Sequence, residues 1–123
     1  MDEIKFENFN GKEILYVDYS NCGKDTQKVI AILDEILRIY KENPTKAYLA
    51  VTNVQNFSFD TEVINKFKAV LPTTNQYIKH QAVIGINDAV RRFLYNSITK
   101  FTGTNAPIFD TKEEAMEWLV SQP

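Results

Sequence analysis

The sequence predicts an α/β fold with a central mixed, mostly parallel sheet, an N-terminal hairpin and about four helices. Two observations indicate it. Short apolar segments typical of buried strands alternate with segments of helical periodicity, and an Asn-Gly pair separates two extended segments near the start. The chain has 123 residues, of which 44% are hydrophobic and 24% charged, so we expect one domain over residues 1–123. The predicted order is β-β-α-β-α-β-α-β-α, with right-handed crossovers between parallel strands.

The hairpin is predicted from residues 4–9 and 13–19, which flank Asn10-Gly11. Both segments have the composition of strands, and a two-residue type I′ turn needs positive φ, which Asn and Gly tolerate. The first helix then begins after a loop at residues 20–24, with Asp25 or Thr26 as its N-cap. It ends at Asn43-Pro44. Its apolar residues recur on one helical face and are Val29, Ile32, Leu33, Ile36, Leu37 and Tyr40.

Residues 47–51 and 82–86 are apolar throughout and predict two buried parallel strands. The helix between them begins at Asp60, a good N-cap, and we expect Pro72 to kink or end it, with a restart at Thr73 or Thr74. Its predicted inward residues are Val63, Ile64, Phe67, Val70 and Leu71.

The third helix follows the cap Asn87-Asp88 and ends at Gly103, and a last short strand covers residues 107–109. The inward residues predicted for this helix are Val90, Phe93, Leu94, Ile98 and Phe101. A capping box, Thr111-x-x-Glu114, opens the final helix. Its predicted inward residues are Ala115, Trp118 and Leu119, with Trp118 as a core anchor.

Charge is distributed unevenly along the chain, although the net charge is only −2. Residues 63–109 carry six bases and one acid, a net +5, whereas residues 1–62 carry −4 and residues 110–123 carry −3. A basic middle region suits an anionic ligand or an acidic partner. Specific nucleic-acid binding needs a far more basic domain and is not expected.

Cysteine content and hydropathy indicate the compartment. The single cysteine, Cys22, excludes an internal disulfide, and residues 1–5 lack the basic and apolar regions of a signal peptide. No apolar stretch approaches the roughly 20 residues of a membrane span. We therefore predict a cytoplasmic protein without a membrane span.

The predicted ligand site is the carboxyl edge of the sheet, where α/β sheets bind ligands next to helix N-termini. Phe57 and Phe59 flank Ser58 in the loop that follows the third strand. The two rings either plug the core beneath the loop or form an apolar wall beside the amides of the next helix. The candidate ligand-binding residues are Asn53, Phe57, Ser58, Phe59, Asp60, Thr61, Asn87 and Arg91.

Enzymatic chemistry has weaker support in the sequence, which contains no P-loop, G-x-G-x-x-G, C-x-x-C or H-E-x-x-H motif. His80, the one histidine, is predicted at the amino end of the sheet, away from the other candidates. The alternative is a small enzyme that uses Cys22, or Asp18 with Asp88. A helix N-terminus would lower the pKa of the Cys22 thiol and make it reactive. We predict no catalytic residue, no cofactor and no metal, and the sequence favours a binding module while leaving the enzyme open as the alternative.

The ending Phe109-Asp110-Thr111-x-x-x-Ala115-x-x-Trp118-Leu119 has a form often found in STAS-like proteins, a family named for sulfate transporters and anti-sigma-factor antagonists. Val83-Ile84-Gly85 before an arginine-bearing helix is a second match. Over nearly its whole length the chain resembles the small uncharacterised bacterial branch of this family, which is related to lipid-transfer-like domains. The resemblance implies a non-catalytic regulatory or binding module for a partner protein or a small anionic or lipid-like ligand. It leaves a homodimer open.

In the antagonist branch of that family, a phosphorylatable serine lies in an Asp-Ser-Ser-Gly-like sequence after the third strand. Residues 56–62 occupy that position here, and they lack both the glycine and the serine pair. Ser58 and Thr61 are the only hydroxyl residues close to it. The resemblance therefore makes Ser58 and Thr61 the phosphorylation candidates of a second alternative, a phosphorylation-controlled regulator.

Overall fold

The computed structural model describes all residues from Met1 to Pro123. It contains five strands, four α-helices and one short 3-10 turn. In chain order these are β1 Ile4–Phe9, β2 Lys12–Asp18, α1 Thr26–Glu42, β3 Tyr48–Asn53, α2 Thr61–Thr74, the 3-10 turn Asn75–Tyr77, β4 Ile78–Ile84, α3 Ala89–Thr102, β5 Ile108–Phe109 and α4 Lys112–Ser121.

The strands form one mixed sheet in the order β1-β2-β3-β4-β5. β1 is antiparallel to β2, and every other neighbouring pair is parallel. The predicted fold class is therefore confirmed. The hairpin turn has positive φ at both central residues, 50° at Asn10 and 83° at Gly11, as a type I′ turn requires.

Two separate cores lie on the two faces of the sheet. Strands β2 to β5 advance in one direction, so right-handed crossovers place α1, α2 and α3 on the same face. A cluster of 18 buried residues joins these helices to β2, β3 and β4. A smaller cluster of seven, including Leu119 and Val51, joins α4 to the opposite face. No helix is both long enough and apolar enough to cross a membrane.

The first and last helices bury nearly the residues that their periodicity predicts. Asp25 caps α1 by accepting a hydrogen bond from the Lys28 N–H at 3.1 Å, and five of the six predicted apolar residues are buried. In α4, Met116 is buried beside Ala115 and Leu119. Trp118 is only half-buried, which corrects its prediction as a core anchor. Its ring lies at the edge of the core, 5.5 Å from that of Phe109 and 6.2 Å from that of His80.

Of the two effects expected of Pro72, a kink or an end, the end does not occur: helix α2 continues through it to Thr74, and the 3-10 turn Asn75–Tyr77 follows directly. Pro72 lies in the last turn of the helix. Its missing N–H removes a single hydrogen bond, close to the end of the helix where the backbone hydrogen bonds end in any case. The next strand, β4, begins at Ile78 and ends at Ile84, whereas the prediction was 82–86. Pairing with β3 extends it at the start, with Tyr48 opposite Ile78 and a shift of register before Leu49, which lies opposite His80.

Helix α3 is rotated relative to its prediction. Of the five residues expected inward, only Ile98 is buried, and Val90, Phe93 and Phe101 are about 70% exposed. The side chains that face the fold include Arg91 and Tyr95. They are held by polar contacts, since the Tyr95 hydroxyl donates to the Ala106 carbonyl at 2.7 Å and Arg91 donates to several carbonyls. Hydrogen bonds of this kind cannot be inferred from hydrophobic periodicity.

Candidate functional site

The carboxyl ends of β2, β3 and β4 lie level, with Asp18 beside Asn53 and Asn53 beside Ile84. Local hydrogen bonds already use the polar side chains there. Asp18 accepts from the Ser20 N–H at 2.8 Å, and Asn53 accepts from the Gln55 N–H at 2.9 Å. Asn53 also donates to the Tyr16 hydroxyl at 3.0 Å. These groups shape the turns that follow the strands.

The loop from Val54 to Asp60 covers the core at this edge. Its Phe57 ring is only 3% exposed and lies 5.5 Å from the Tyr19 ring, 4.7 Å from the Phe59 ring and 6.1 Å from the Phe67 ring. Backbone bonds hold the loop down: the Val54 N–H donates to the Ile84 carbonyl and the Ser58 N–H to the Gly23 carbonyl. Of the two interpretations of the aromatic pair, the burial of Phe57 favours the plug.

Arg91 joins two loops at the same edge. Its guanidinium donates to the carbonyls of Gly85, at 2.6 Å, of Val54, and of Phe57, at 3.4 Å, and to the Asn87 side chain at 3.3 Å. It lies 5.3 Å from the centre of the Phe59 ring. Partial burial lowers the pKa of Arg91, while Asp88 acts in the opposite direction. Because all four of these hydrogen bonds are made within the protein, the guanidinium positions the two loops and has little capacity left to bind an external anion.

Gly85 permits the close approach of the same two loops. Its φ is +94°, and a Cβ at this position would lie 2.4 Å from the backbone nitrogen of Gln55. Only glycine avoids both the strained φ and the clash. The loops after β3 and β4 are therefore packed directly against each other.

The helix N-termini at this edge are capped by their own side chains. Asp60 accepts from the Val63 N–H at 2.9 Å and from the Thr26 hydroxyl at 3.3 Å, and Asp88 accepts from the Arg91 N–H at 2.8 Å. Thr61 is exposed at the start of α2, while Ser58 is half-buried. The phosphorylation of either residue stays a prediction, and Thr61 is the more accessible.

The candidates for enzymatic chemistry do not form a constellation. Cys22 is 3% exposed, and burial, opposed by Lys28, raises the pKa of its thiol. The lowered thiol pKa that we predicted is thus wrong in direction, because the thiol lies inside the core and not at the helix terminus. Asp18 ends β2 and Asp88 lies in the loop after β4, and β3 separates these two strands. His80 contacts the Pro123 carbonyl at 3.3 Å, at the other end of the sheet. No three histidine, cysteine or acidic side chains cluster as metal ligands do.

A cavity of about 80 Å³ lies between the sheet and helices α1, α2 and α3, and no sequence pattern predicted it. None of its lining side chains is charged, and most are apolar. Phe57 and Phe59 line its end at the carboxyl edge. The polar lining residues are Thr52, Thr74, Gln81, Thr99 and Thr104.

Uncharged hydrogen-bonding groups line the far end of this cavity. Gln81 donates to Asn75 at 3.1 Å, Asn75 donates to Thr104 at 2.9 Å, and the Thr104 and Thr102 hydroxyls are 2.7 Å apart. An open surface groove beside α3 shares several lining residues with the cavity. The shared residues are Tyr95, Thr99, Thr104 and Ala106. Tyr95 and Ala106, which are joined by a hydrogen bond, therefore lie where the cavity and the groove adjoin.

A solved structure with the same arrangement comes from Shewanella loihica PV-4. It is an uncharacterised protein of the DUF3478 family with a SpoIIAA-like fold. The match has a TM-score of 0.65 at 16% sequence identity and covers 94% of this chain and 91% of that one. The chain has a SpoIIAA-like fold. This confirms the STAS-like architecture, and at this identity it concerns the fold alone. No family model and no curated protein matches the sequence.

The SpoIIAA-like fold brings some of the predicted site residues together and leaves others apart. Phe57, Phe59, Asn87 and Arg91 form one connected group in which the side chain of Arg91 is central. Asn53 turns its side chain toward Tyr16 and the start of its own loop. Of the predicted ligand-binding residues, only Phe57 and Phe59 line the cavity. Finding it from the sequence would have required the relative placement of three helices.

Proposed function

We propose that this SpoIIAA-like chain is a non-catalytic binding module whose ligand is a small, uncharged, lipid-like molecule that enters the cavity beneath Phe57. The observation that supports this most directly is the lining, which is mainly apolar and has no charged side chain. Burying a charged group there without a partner would be costly. A neutral ligand is therefore favoured over the anionic alternative that the charge of residues 63–109 suggested.

The chemistry of the two ends orients such a ligand. Its apolar part lies against Phe57 and Phe67, and a hydroxyl or carbonyl group reaches Gln81 or Thr104 at the other end. Gln81 and Thr104 already bond to Asn75 and Thr102, so a neutral polar end of the ligand would join an existing hydrogen-bond network of uncharged groups.

The volume of the cavity limits the size of the ligand. An apolar cavity of about 150 Å³ binds benzene. The space here is about 80 Å³, so the present arrangement admits only a few non-hydrogen atoms. A longer ligand requires displacement of a side chain that closes the cavity, and Phe57 and Tyr95 occupy its two boundaries.

The proposal is tested with three short molecules of equal chain length: n-butanol, butyrate and butylammonium. Butanol is expected to raise the melting temperature and to shift methyl NMR signals of cavity residues, whereas the two ions leave both unchanged. Equal effects of all three molecules would contradict a charge-excluding site.

A matched pair of variants localises the effect. Ala50 lines the cavity and Ala31 is exposed on α1, so Ala50→Val fills the space while Ala31→Val adds the same two methyl groups outside it. Loss of the butanol response in Ala50→Val alone supports the site. A response that survives in Ala50→Val places binding elsewhere and overturns the proposal.

A further inference from the structure

The outward face of α3 is apolar and is not covered by any part of the fold. Val90, Phe93 and Phe101 are 70%, 72% and 69% exposed. At about 100° per residue the three side chains fall within an arc of roughly 80°, and they extend along about 16 Å of the helix. Large apolar side chains grouped in this way mark interaction surfaces, whereas single exposed ones do not. We use the term α3 face for Val90, Phe93 and Phe101 together with the neighbouring cations Lys68 and Lys100.

Positive charge without a partner borders this face. Lys100 lies close to Phe93 around the helix, and the Lys68 ammonium, from α2, lies 4.9 Å from the centre of the Phe101 ring. No acidic residue occurs in α3 between Ala89 and Thr102. None of the six ion pairs of the protein involves Lys68, Arg92 or Lys100. The surface is therefore complementary to a segment that is both apolar and acidic.

We propose that the α3 face binds an acidic amphipathic segment of a partner protein. Apolar side chains of the segment pack on Val90, Phe93 and Phe101, and its carboxylates approach Lys68 and Lys100. A helix of about 11 residues or an extended segment of about five residues would span the face. This surface is separate from the cavity, and the proposal does not depend on the ligand proposed for it.

Charge argues against a second copy as the occupant, and shape argues against a lipid bilayer. Two copies in two-fold symmetry would bring two surfaces that both carry Lys68 and Lys100 against each other. A bilayer is a broad surface, whereas the exposed apolar side chains cover only an arc of roughly 80° along about 16 Å of α3. A narrow segment stays within the roughly 8 Å over which charges act at physiological salt, and it experiences mainly the cations of the α3 face.

The experiment selects binders from a random library of peptides of about 16 residues displayed on phage, long enough to cover the face. The folded chain is the target, and the Phe93→Ser variant is used for counter-selection. Because Phe93 is 72% exposed, its replacement leaves the core intact, and circular dichroism with melting checks this. Enriched peptides are expected to combine apolar residues at helical or alternating spacing with flanking acids.

Each enriched peptide is then titrated against four proteins. Phe93→Ser is expected to weaken binding about 30-fold, the effect of losing a central aromatic contact. Lys100→Glu is expected to weaken it by about tenfold, and more at low salt. Lys79→Glu changes the net charge equally at an exposed position on β4, and it should bind like the unmodified chain.

Three outcomes would overturn the proposal. The first is that the enriched peptides lack acidic residues, or that they bind Phe93→Ser as tightly as the unmodified chain. The second is a concentration-dependent dimer in sedimentation that Phe93→Ser abolishes, which would assign the face to a second copy. The third is flotation of the unmodified chain, but not of Phe93→Ser, with phosphatidylcholine vesicles containing phosphatidylglycerol, in the absence of any selected peptide. That result would assign the face to an anionic membrane.

Discussion

Replacement of Phe57 by alanine should both destabilise the protein and enlarge its cavity. The ring is 3% exposed and lies within 6.1 Å of the rings of Tyr19, Phe59 and Phe67. Truncating a buried Phe to Ala costs about 3 to 5 kcal/mol, partly for the space left behind. We expect the upper half of that range, because a cavity already exists on one side and the wall there cannot close around the gap.

The same substitution should create a new binding capacity. Removing the ring adds roughly 100 Å³ to the existing space, which brings the total above the volume that accommodates benzene. Benzene should therefore raise the melting temperature of Phe57→Ala and leave that of the unmodified chain unchanged. Phe59→Ala, half-buried on the outer side of Phe57, serves as the control and should lose less stability. Urea titration that shows a loss below about 1 kcal/mol for Phe57→Ala would refute its role as a plug.

Three further predictions concern the loops and the buried ionisable groups. Gly85→Ala should lower the free energy of unfolding by about 3 kcal/mol or more in urea titration. Gly23 also has a positive φ but open space around it, so Gly23→Ala should lower the free energy of unfolding by only about 1 kcal/mol. Equal losses for the two variants would contradict the role of the close contact. Arg91→Lys should lower the free energy of unfolding by about 1 to 3 kcal/mol, because one ammonium cannot reach carbonyls in two loops. The control Arg92→Lys should leave this free energy unchanged. An unchanged free energy for Arg91→Lys would show that the guanidinium contacts are dispensable. Burial raises the pKa of Cys22 and Tyr40, so the unfolded chain loses these protons first, and stability present below about pH 8.5 should fall as the pH rises further. A urea midpoint unchanged between pH 7 and 10 would contradict this.

Those parts of the fold that depend on local rules were predictable from the sequence. The caps at Asp25, Asp60, Asp88 and Thr111 all accept the hydrogen bond expected of them. Each is a short polar side chain immediately before a helix, and its contact is made within three residues. The alternation of apolar strands with amphipathic helices likewise sufficed for the sheet, because right-handed crossovers leave few other arrangements.

The orientation of α3 was not predictable in this way, for a physical reason. Its most apolar stripe contains Val90, Phe93 and Phe101, and periodicity alone predicts that this stripe is buried. The stripe that faces the fold instead contains Arg91 and Tyr95, which satisfy carbonyls in loops far along the chain. A pattern within one helix contains no information about those carbonyls. The cavity was missed for the same reason, since its walls come from three helices and three strands.

The strand order explains why the carboxyl edge is a weaker site than α/β sheets usually provide. Ligand crevices open where the order reverses and the loops on either side diverge. Here β2 to β5 follow one another without a reversal, so neighbouring loops run side by side. The contact of Gly85 with Gln55 and the bonds from Arg91 then draw the loops after β3 and β4 together. Because that edge is closed, the space for a ligand lies beneath the loops, in the cavity, and the exposed apolar surface lies on the outer face of α3. These two places are therefore where binding is most effectively tested.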